Sequence, residues 1–549
     1  MEAEKKGKGG AGGFLKQGSI LAATSILVRM IGLIYRIPMA NIIGDEGNGI
    51  YSAAFEIYNI LLIISSYGMP MAVSKMVSAK CANKKYREAY YIFRCSMIFS
   101  ICTGGIAALF VFFGADWLEK NFFESYQGVA IPLRVLAPTI FMVAIMGTLR
   151  GLYQGRKTML PTAVSQVLEQ IVNAFVSVSA AYFLMRAHSA SDKLPAWGAA
   201  GGTLGTCLGA ATALLVLLFI YMIYRPVMKK QERRDRASVQ ASLGQTYKLI
   251  FLTVIPIILS QTVYQLSGII DVSLINAVLR GRGHSREQIS TWQGIYSTQY
   301  RTLVNVPTAI STAIASSMLP SLVTSFLAGE KDRMQQKVTM AVKFNMIIAF
   351  PSAVGMAVLS TPIIRVLFRN SANYQMGSMM MILGSSCIVF YALSTVTSGV
   401  LQSIDQMSLP VLHSLISLII HIGLVWGLMR FTGLGVYALV IGNVTYPLLV
   451  CWLNAKSVRK HLGFKQELVK SFCIPFLSSV VMGIATFLVF SGIHQITKSN
   501  LISLIPSIAV AIALYFVLVL KMKGLSREEL YEFPMGRRMS LLADKLHLL

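Results

Sequence analysis

Charge is scarce in this chain. Only 13% of its 549 residues are Asp, Glu, Lys or Arg, against about 25% in a soluble domain. Over half, 55%, are hydrophobic, and the mean hydropathy is +0.62. A water-soluble globule is excluded. Long polar connections are also missing: the longest stretch between apolar windows, residues 225–248, is too short for a soluble catalytic domain. The seven cysteines, Cys81, Cys95, Cys102, Cys207, Cys387, Cys451 and Cys473, form no CxxC pair, so neither a disulfide framework nor a metal site is indicated. No DxD motif occurs, which argues against a membrane-embedded glycosyl transferase, and no enzyme activity is expected. Residues 1–13 lack an apolar core, so no cleaved signal peptide is expected and the first span serves for insertion.

What is present is a series of apolar windows bounded by Gly, Pro, Asn or charge. They lie near 16–40, 49–72, 88–113, 129–149, 160–185, 198–224, 249–279, 291–319, 344–360, 376–401, 409–429, 434–454, 471–491 and 500–520. At about 20 residues per crossing these predict an all-α integral membrane protein of about fourteen spans. Acids number 23 against 49 bases, a formal charge of +26. The bases cluster on one side, including Lys75, Lys80, Lys84, Lys85 and Arg87 and the run Arg225, Lys229, Lys230, Arg233, Arg234 and Arg236. Positive charge stays inside, which places both termini in the cytoplasm. The same bias accounts for the basic excess without nucleic acid, since those loops carry no interleaved stacking aromatics. Trp117, Trp197 and Trp292 fall at the opposite boundary, as an aromatic belt would.

A repeat organises the windows. The second span opens GIYSAAFEIYNI at Gly49 and the eighth GIYSTQYRTLVN at Gly294, 245 residues on; GLYQGRKTMLP at Gly151 is echoed by GVLQSIDQMSLP at Gly399, 248 residues on. Both give a six-span period, and an even period keeps the two lobes in the same orientation about an axis along the membrane normal. The expected organisation is a basic tail at 1–15, an N-lobe at 16–224, a basic linker at 225–248, a C-lobe at 249–454, two extra spans at 471–520 and a cytoplasmic tail at 521–549. Ser526 and Glu529 have capping-box spacing for a short helix in that tail. Such twin lobes suit a transporter in which substrate sits between halves that rock.

Six ionisable residues fall inside spans: Arg29, Arg36, Glu56, Glu169, Asp271 and Arg301. Each costs about 2.5–3.5 kcal/mol near the bilayer centre, so each is expected to face a wet cavity or another charge. Arg29 and Arg36 are two turns apart on one helix face. Gln166, Glu169, Gln170 and Asn173 follow i, i+3, i+4, i+7 as a polar stripe, and Gln261, Gln265 and Gly268 lead toward Asp271 in the same way. Arg29, Arg36 and Arg301 are candidate contacts for an anionic substrate, because guanidinium presents a fixed fork of donors to phosphate oxygens. Glu56, Gln166, Glu169 and Gln170 join them as substrate-binding candidates, while Glu56 and Arg301, at equivalent repeat positions, are also suited to a gating ion pair. Asp271 suits either a coupling cation or proton, or a buried hydrogen-bonded acid. His413 and His421 share a face but lack a third ligand, so buried hydrogen-bonded histidines are expected there.

The stretches VRMIGLIYRIPMANIIGDEGNGIY, AIASSMLPSLVTSFLAGEKD and FPSAVGMAVLSTPIIRVLF resemble the polysaccharide-transporter branch of the multidrug/oligosaccharidyl-lipid/polysaccharide exporter superfamily. Within it the chain is similar to the stage V sporulation protein B group and its relatives the MurJ-type lipid II flippases. The resemblance implies the MATE/MurJ-like fold of two six-helix lobes plus two helices, in a bacterial plasma membrane. It implies outward movement of an undecaprenyl-pyrophosphate-linked sugar or muropeptide, with cavity arginines on the pyrophosphate. Arg29 matches the family's first arginine of span one, while Tyr35 stands at the second with Arg36 beside it. Leu62 and Ile63 replace the arginine pair of span two, and Arg301 matches the eighth-span arginine with a one-residue shift relative to Pro307. No cofactor is expected beyond a coupling Na+ or H+. The expected partners are the lipid-linked substrate, membrane lipids and envelope-synthesis enzymes, and a monomer is favoured. The rival on the same fold is a cation-coupled multidrug exporter.

Overall fold

The computed structural model describes residues 2–156, 158–235, 242–464, 466–531 and 540–541. Every regular element among them is helical, as expected where no water is present to satisfy backbone groups. Ten of these helices are long and apolar enough to cross a membrane, or eleven if one bent pair counts as a span. The chain is therefore a multi-pass helical membrane protein. It divides into two compact units, Met1–Gly294 and Ile295–Leu549.

The first unit opens with α1 (Glu2–Leu62), two helical arms that meet at a kink at Gly44 (φ 71°, ψ 175°), between the first two expected spans. Only glycine adopts such angles without strain, so the chain can turn there from one span into the next. A π-helical turn at Ile63–Tyr67 leads to α2 (Met69–Ala82), α3 (Tyr86–Phe122), α4 (Ala130–Gly155), α5 (Leu160–Ala187), α6 (Leu194–Arg234), α7 (Leu243–Gly281) and α8 (Arg286–Gly294). Met69, Tyr90, Met146, Leu149, Tyr153 and Leu217 belong to its buried core. Along α6, Gly201, Gly205 and Gly209 face the α5 backbone at Ala181, Ser177 and Glu169 so closely that an added methyl would collide. Small residues of this kind let membrane helices pack at backbone distance.

At 41 residues, α6 is about 61 Å long, twice the hydrocarbon thickness of about 30 Å. Its last turns dock on α3 and α4. Tyr90 donates to Gln231 Oε1 at 2.7 Å, Arg156 donates to Tyr90 at 2.6 Å and to Gln231 at 3.1 Å, and Arg94 pairs with Glu232. Much of the linker expected at 225–248 is thus helix; Arg236 and residues up to 241 lie outside the described residues. Ser242 and Gln245 then form a reciprocal capping box that starts α7.

The second unit begins with a π-helical segment, Ile295–Arg301, followed by α9 (Thr302–Leu327), α10 (Lys331–Val358), α11 (Ser360–Leu367), α12 (Tyr374–Gly384) and α13 (Cys387–Ser403). The last two are the bent pair, 47° apart. Next come α14 (Ser408–Phe431), α15 (Tyr437–Leu462), a π turn at Val469–Cys473, α16 (Ile474–Thr497), α17 (Asn500–Lys521) and α18 (Arg527–Tyr531). The short α18 starts at the expected capping box: Ser526 N donates to Glu529 at 2.9 Å and Glu529 N to Ser526 Oγ at 3.2 Å. Leu525 and Leu530 are buried beside Phe344, Tyr515 and Val519, and Glu529 reaches the buried Lys343 at 2.7 Å.

Candidate functional site: polar helix faces inside the first unit

On α1, Arg29, Gly32 and Arg36 stand three and four residues apart and so share a face. That face addresses α5, because a methyl at Gly32 would lie 4.0 Å from Gln170 Oε1. The expected stripe Gln166, Glu169, Gln170 and Asn173 is therefore opposite Arg29 and Arg36. The direct bond across the pair of helices comes from Tyr35: Asn173 Nδ2 donates to the Tyr35 hydroxyl at 3.0 Å. Arg36 turns instead to the Tyr51 ring, 5.7 Å from its centroid, a cation–π distance, and its Nε is buried without a hydrogen bond. Gln166 Oε1 is likewise buried and unbonded.

Glu169 is engaged by a residue outside the expected set. Arg150 on α4 donates from Nη2 to Glu169 Oε2 at 2.8 Å and from Nε to Ser165 Oγ at 3.2 Å. Arg150 escaped notice because it falls one residue beyond the apolar window that ends at 149. The helix that carries it continues to Gly155, which makes it an interior charge.

Glu56 and Asp271 are both buried, 8% and 6% exposed. Gly268 on α7 leaves room for the Glu56 carboxylate, which would overlap any side chain there. Asp271 lies on the same α7 face, three residues on. The side chains of Gln261 and Gln265 lie outside the described set. Arg301 belongs to the second unit, half-buried at the last position of the π-helical segment. A π turn carries more residues per turn than an α turn and recurs at functional sites. It is the kind of irregularity that absorbs a one-residue shift such as that between Arg301 and Pro307. Arg29, Glu56, Asp271 and Arg301 all have interaction partners. The structure thus gathers Arg29, Arg36, Gln166, Glu169 and Gln170 on two facing helices, sets Glu56 with α7, and holds Arg301 in the other unit.

At the end of α1 beyond Gly44, repeat-equivalent glycines meet. A methyl at Gly49 would overlap the Ser290 carbonyl oxygen, and one at Gly294 that of Asp45. Each clash falls four residues before the other glycine, so the crossing of α1 with α8 is reciprocal. Ser290 Oγ adds a bond to the Glu46 carbonyl at 3.0 Å. Nearby in sequence, Arg286 donates to Glu124 at 2.7 Å, and Arg280 donates through both terminal nitrogens. Hydrogen bonding from Arg280 foremost, then the positive charge of both arginines, holds the Glu124 carboxyl below its ordinary range.

In the second unit, His413 Nδ1 donates to Asn454 Oδ1 at 2.7 Å and Ser457 Oγ lies 3.3 Å from His413 Nε2. Asn454 Nδ2 donates to Ser398 at 2.9 Å and Thr397 at 3.3 Å. His413 is thus a buried, hydrogen-bonded histidine as expected. Among the described residues no group of His, Cys, Asp and Glu is placed to hold a metal.

A bundle of spanning helices in which a polar face of α1 packs on the polar stripe of α5 fits the class of membrane transporters. Its family follows from sequence: residues 14–326 match the model of the family described as polysaccharide biosynthesis protein, and the chain belongs to that family, within the multidrug/oligosaccharidyl-lipid/polysaccharide superfamily. Residues 256–426 also match the MatE model. The chain is 24% identical over 535 residues to the stage V sporulation protein B of Bacillus subtilis (strain 168), covering 96% of this chain and 98% of that one. It is 24% identical over 485 residues to the lipid II flippase MurJ of the same organism, covering 86% and 87%. The solved structure of a lipid II flippase MurJ in an inward closed conformation superposes with a TM-score of 0.64 at 16% identity, over 91% of this chain and 98% of that one. These likenesses agree with a transporter in place of an enzyme.

Proposed function

We propose that this protein moves an undecaprenyl-pyrophosphate-linked envelope precursor, lipid II or a related lipid-linked oligosaccharide, from the inner to the outer leaflet of a bacterial plasma membrane by alternating access. The observation that carries the reading is the α1 face of Arg29, Gly32 and Arg36 set against the α5 stripe at Gln170: permanent cations with neutral amide neighbours suit a phosphate-bearing headgroup. In this reading both termini are cytoplasmic and the chain crosses fourteen times. The break at Gly44 divides α1 into two crossings, and α7 and the α8–π–α9 run supply the remainder of two six-helix lobes. The lipid tail stays in the bilayer while the headgroup engages Arg29, Arg36 and Arg301, with Gln166, Glu169 and Gln170 on its polar flank. An inside-negative potential favours outward movement of an anion by about 2.3 kcal/mol per charge per 100 mV, and Asp271 is the position for a coupled Na+ or H+.

A second reading, a cation-coupled multidrug exporter, is favoured by the MatE match and by the buried acids Glu56 and Asp271. Translocation of labelled lipid II and of a teichoic or capsular lipid precursor in proteoliposomes separates the two. Arg29→Ala and Arg301→Ala are each expected to slow flipping at least tenfold. Unchanged flipping in both variants overturns the site, and drug efflux without lipid movement favours the second reading.

A further inference from the structure

The interior of the first unit holds a guanidinium whose donors are only partly used. Of the five N–H groups of Arg150, Nε meets Ser165 and one Nη2 hydrogen meets Glu169, leaving the second Nη2 hydrogen and both on Nη1. A purely structural arginine–carboxylate pair favours two parallel bonds. Here Ser165 takes Nε, so Glu169 makes a single contact and the free edge of the fork is left accessible, the side chains being 14% and 22% exposed. The lobe position is equally specific. Glu169 belongs to the stripe that includes Gln170, whose Oε1 lies against Gly32 on the α1 face of Arg29 and Arg36, and it stands about 14 Å into α5 from Leu160.

We infer that Arg150 is a binding residue for the diphosphate of the lipid-linked substrate, and that Glu169 is its placeholder. In the empty protein Glu169 compensates a charge that would otherwise be buried alone, while Ser165 fixes the plane of the guanidinium. A diphosphate oxygen approaching Nη1 finds two donors already oriented and competes with Glu169 for the rest. The inference rests on the transport reading above and adds to it a residue that composition and periodicity did not single out.

The test uses the full-length protein in nanodiscs with undecaprenyl diphosphate as probe and undecaprenol as control, read by native mass spectrometry. Arg150→Gln is expected to weaken diphosphate binding about tenfold. Glu169→Gln is expected to strengthen it severalfold, because the competitor is gone and the cation remains. Arg150→Lys, which keeps the charge without the fork, should fall between wild type and Arg150→Gln, and stands in for it if that variant does not fold. A merely structural pair predicts the same sign for both partners, so equal weakening by Arg150→Gln and Glu169→Gln, or no change in either, overturns the inference while leaving the transport reading intact. A wild type that binds the diphosphate no better than the alcohol overturns the transport reading itself.

Discussion

The first unit is closed at one place by backbone and left chemically unsaturated at another. Where α1 crosses α8, glycine meets carbonyl oxygen at Gly49–Ser290 and Gly294–Asp45 with no side chain between. Along the opposite half of α1, Arg36 Nε and Gln166 Oε1 are buried without hydrogen bonds, and Arg150 keeps donors to spare. Close backbone packing makes the first contact, with the Ser290–Glu46 hydrogen bond added to it. Both places leave buried polar atoms unbonded, Gln293 Nε2 and Oε1 at the first and Arg36 Nε and Gln166 Oε1 at the second, but only the second leaves a cationic donor so. The neutral network around Asn454, where both Nδ2 and Oδ1 are engaged, shows what polarity looks like when it only holds helices together.

The largest expected effect is at the crossing. Gly294→Ala places a methyl on a backbone oxygen that no rotamer change can move, so α8 should lift from α1. Overpacking of this kind costs about 1–3 kcal/mol or more. Cysteine accessibility around Ser290 should rise, and a thermal midpoint and labelling pattern equal to wild type would show that the crossing tolerates separation. Gly268→Ala should cost less, since the group it meets is the end of the flexible Glu56 side chain. About 1 kcal/mol is expected, and Glu56→Ala in the same chain should recover most of it in a double-mutant cycle. The smallest effect belongs to Glu124→Gln. Because the folded carboxyl is held below its ordinary value of 4.5, the clasp with Arg280 and Arg286 is complete above that pH and is lost as pH falls through the folded value. Distances between spin labels on the 123–129 loop and the 282–285 turn should lengthen in that acidic window for wild type. In Glu124→Gln they should already be lengthened at pH 7, without loss of folded protein.

Much of this architecture was legible because membrane spans advertise themselves. The apolar windows, the stripe on α5 and the GIYS repeat are periodic features, and periodicity survives without coordinates. The stripe's orientation was harder. Arg36 looked equivalent to Arg29, yet its neighbour Tyr35 makes the bond to Asn173, because consecutive helical residues point about 100° apart. Arg150 was hidden by hydropathy, which trims a window at its first charge even when the helix continues. The reciprocal contact of Gly49 and Gly294 lay in the repeat itself, but sequence carries no sign of which equivalent residues touch. Gly44 was legible for the same reason as the spans: it falls in the polar gap 41–48 between the first two windows.

That break has a mechanical consequence. A methyl at Gly44 would find nothing within 4 Å, and its φ of 71° is one that other residues resist. The turn is held from within by Asn48 Nδ2, which donates to the carbonyls of Ala40 at 3.0 Å and Gly44 at 2.7 Å, while α5 and α6 are locked together by their glycine ladder. Gly44 is consequently a fixed corner: Met39 before it and Tyr51 after it both lie against Gly202 of α6, so the arm with the arginines and the arm with the crossing are held to the same packed helices.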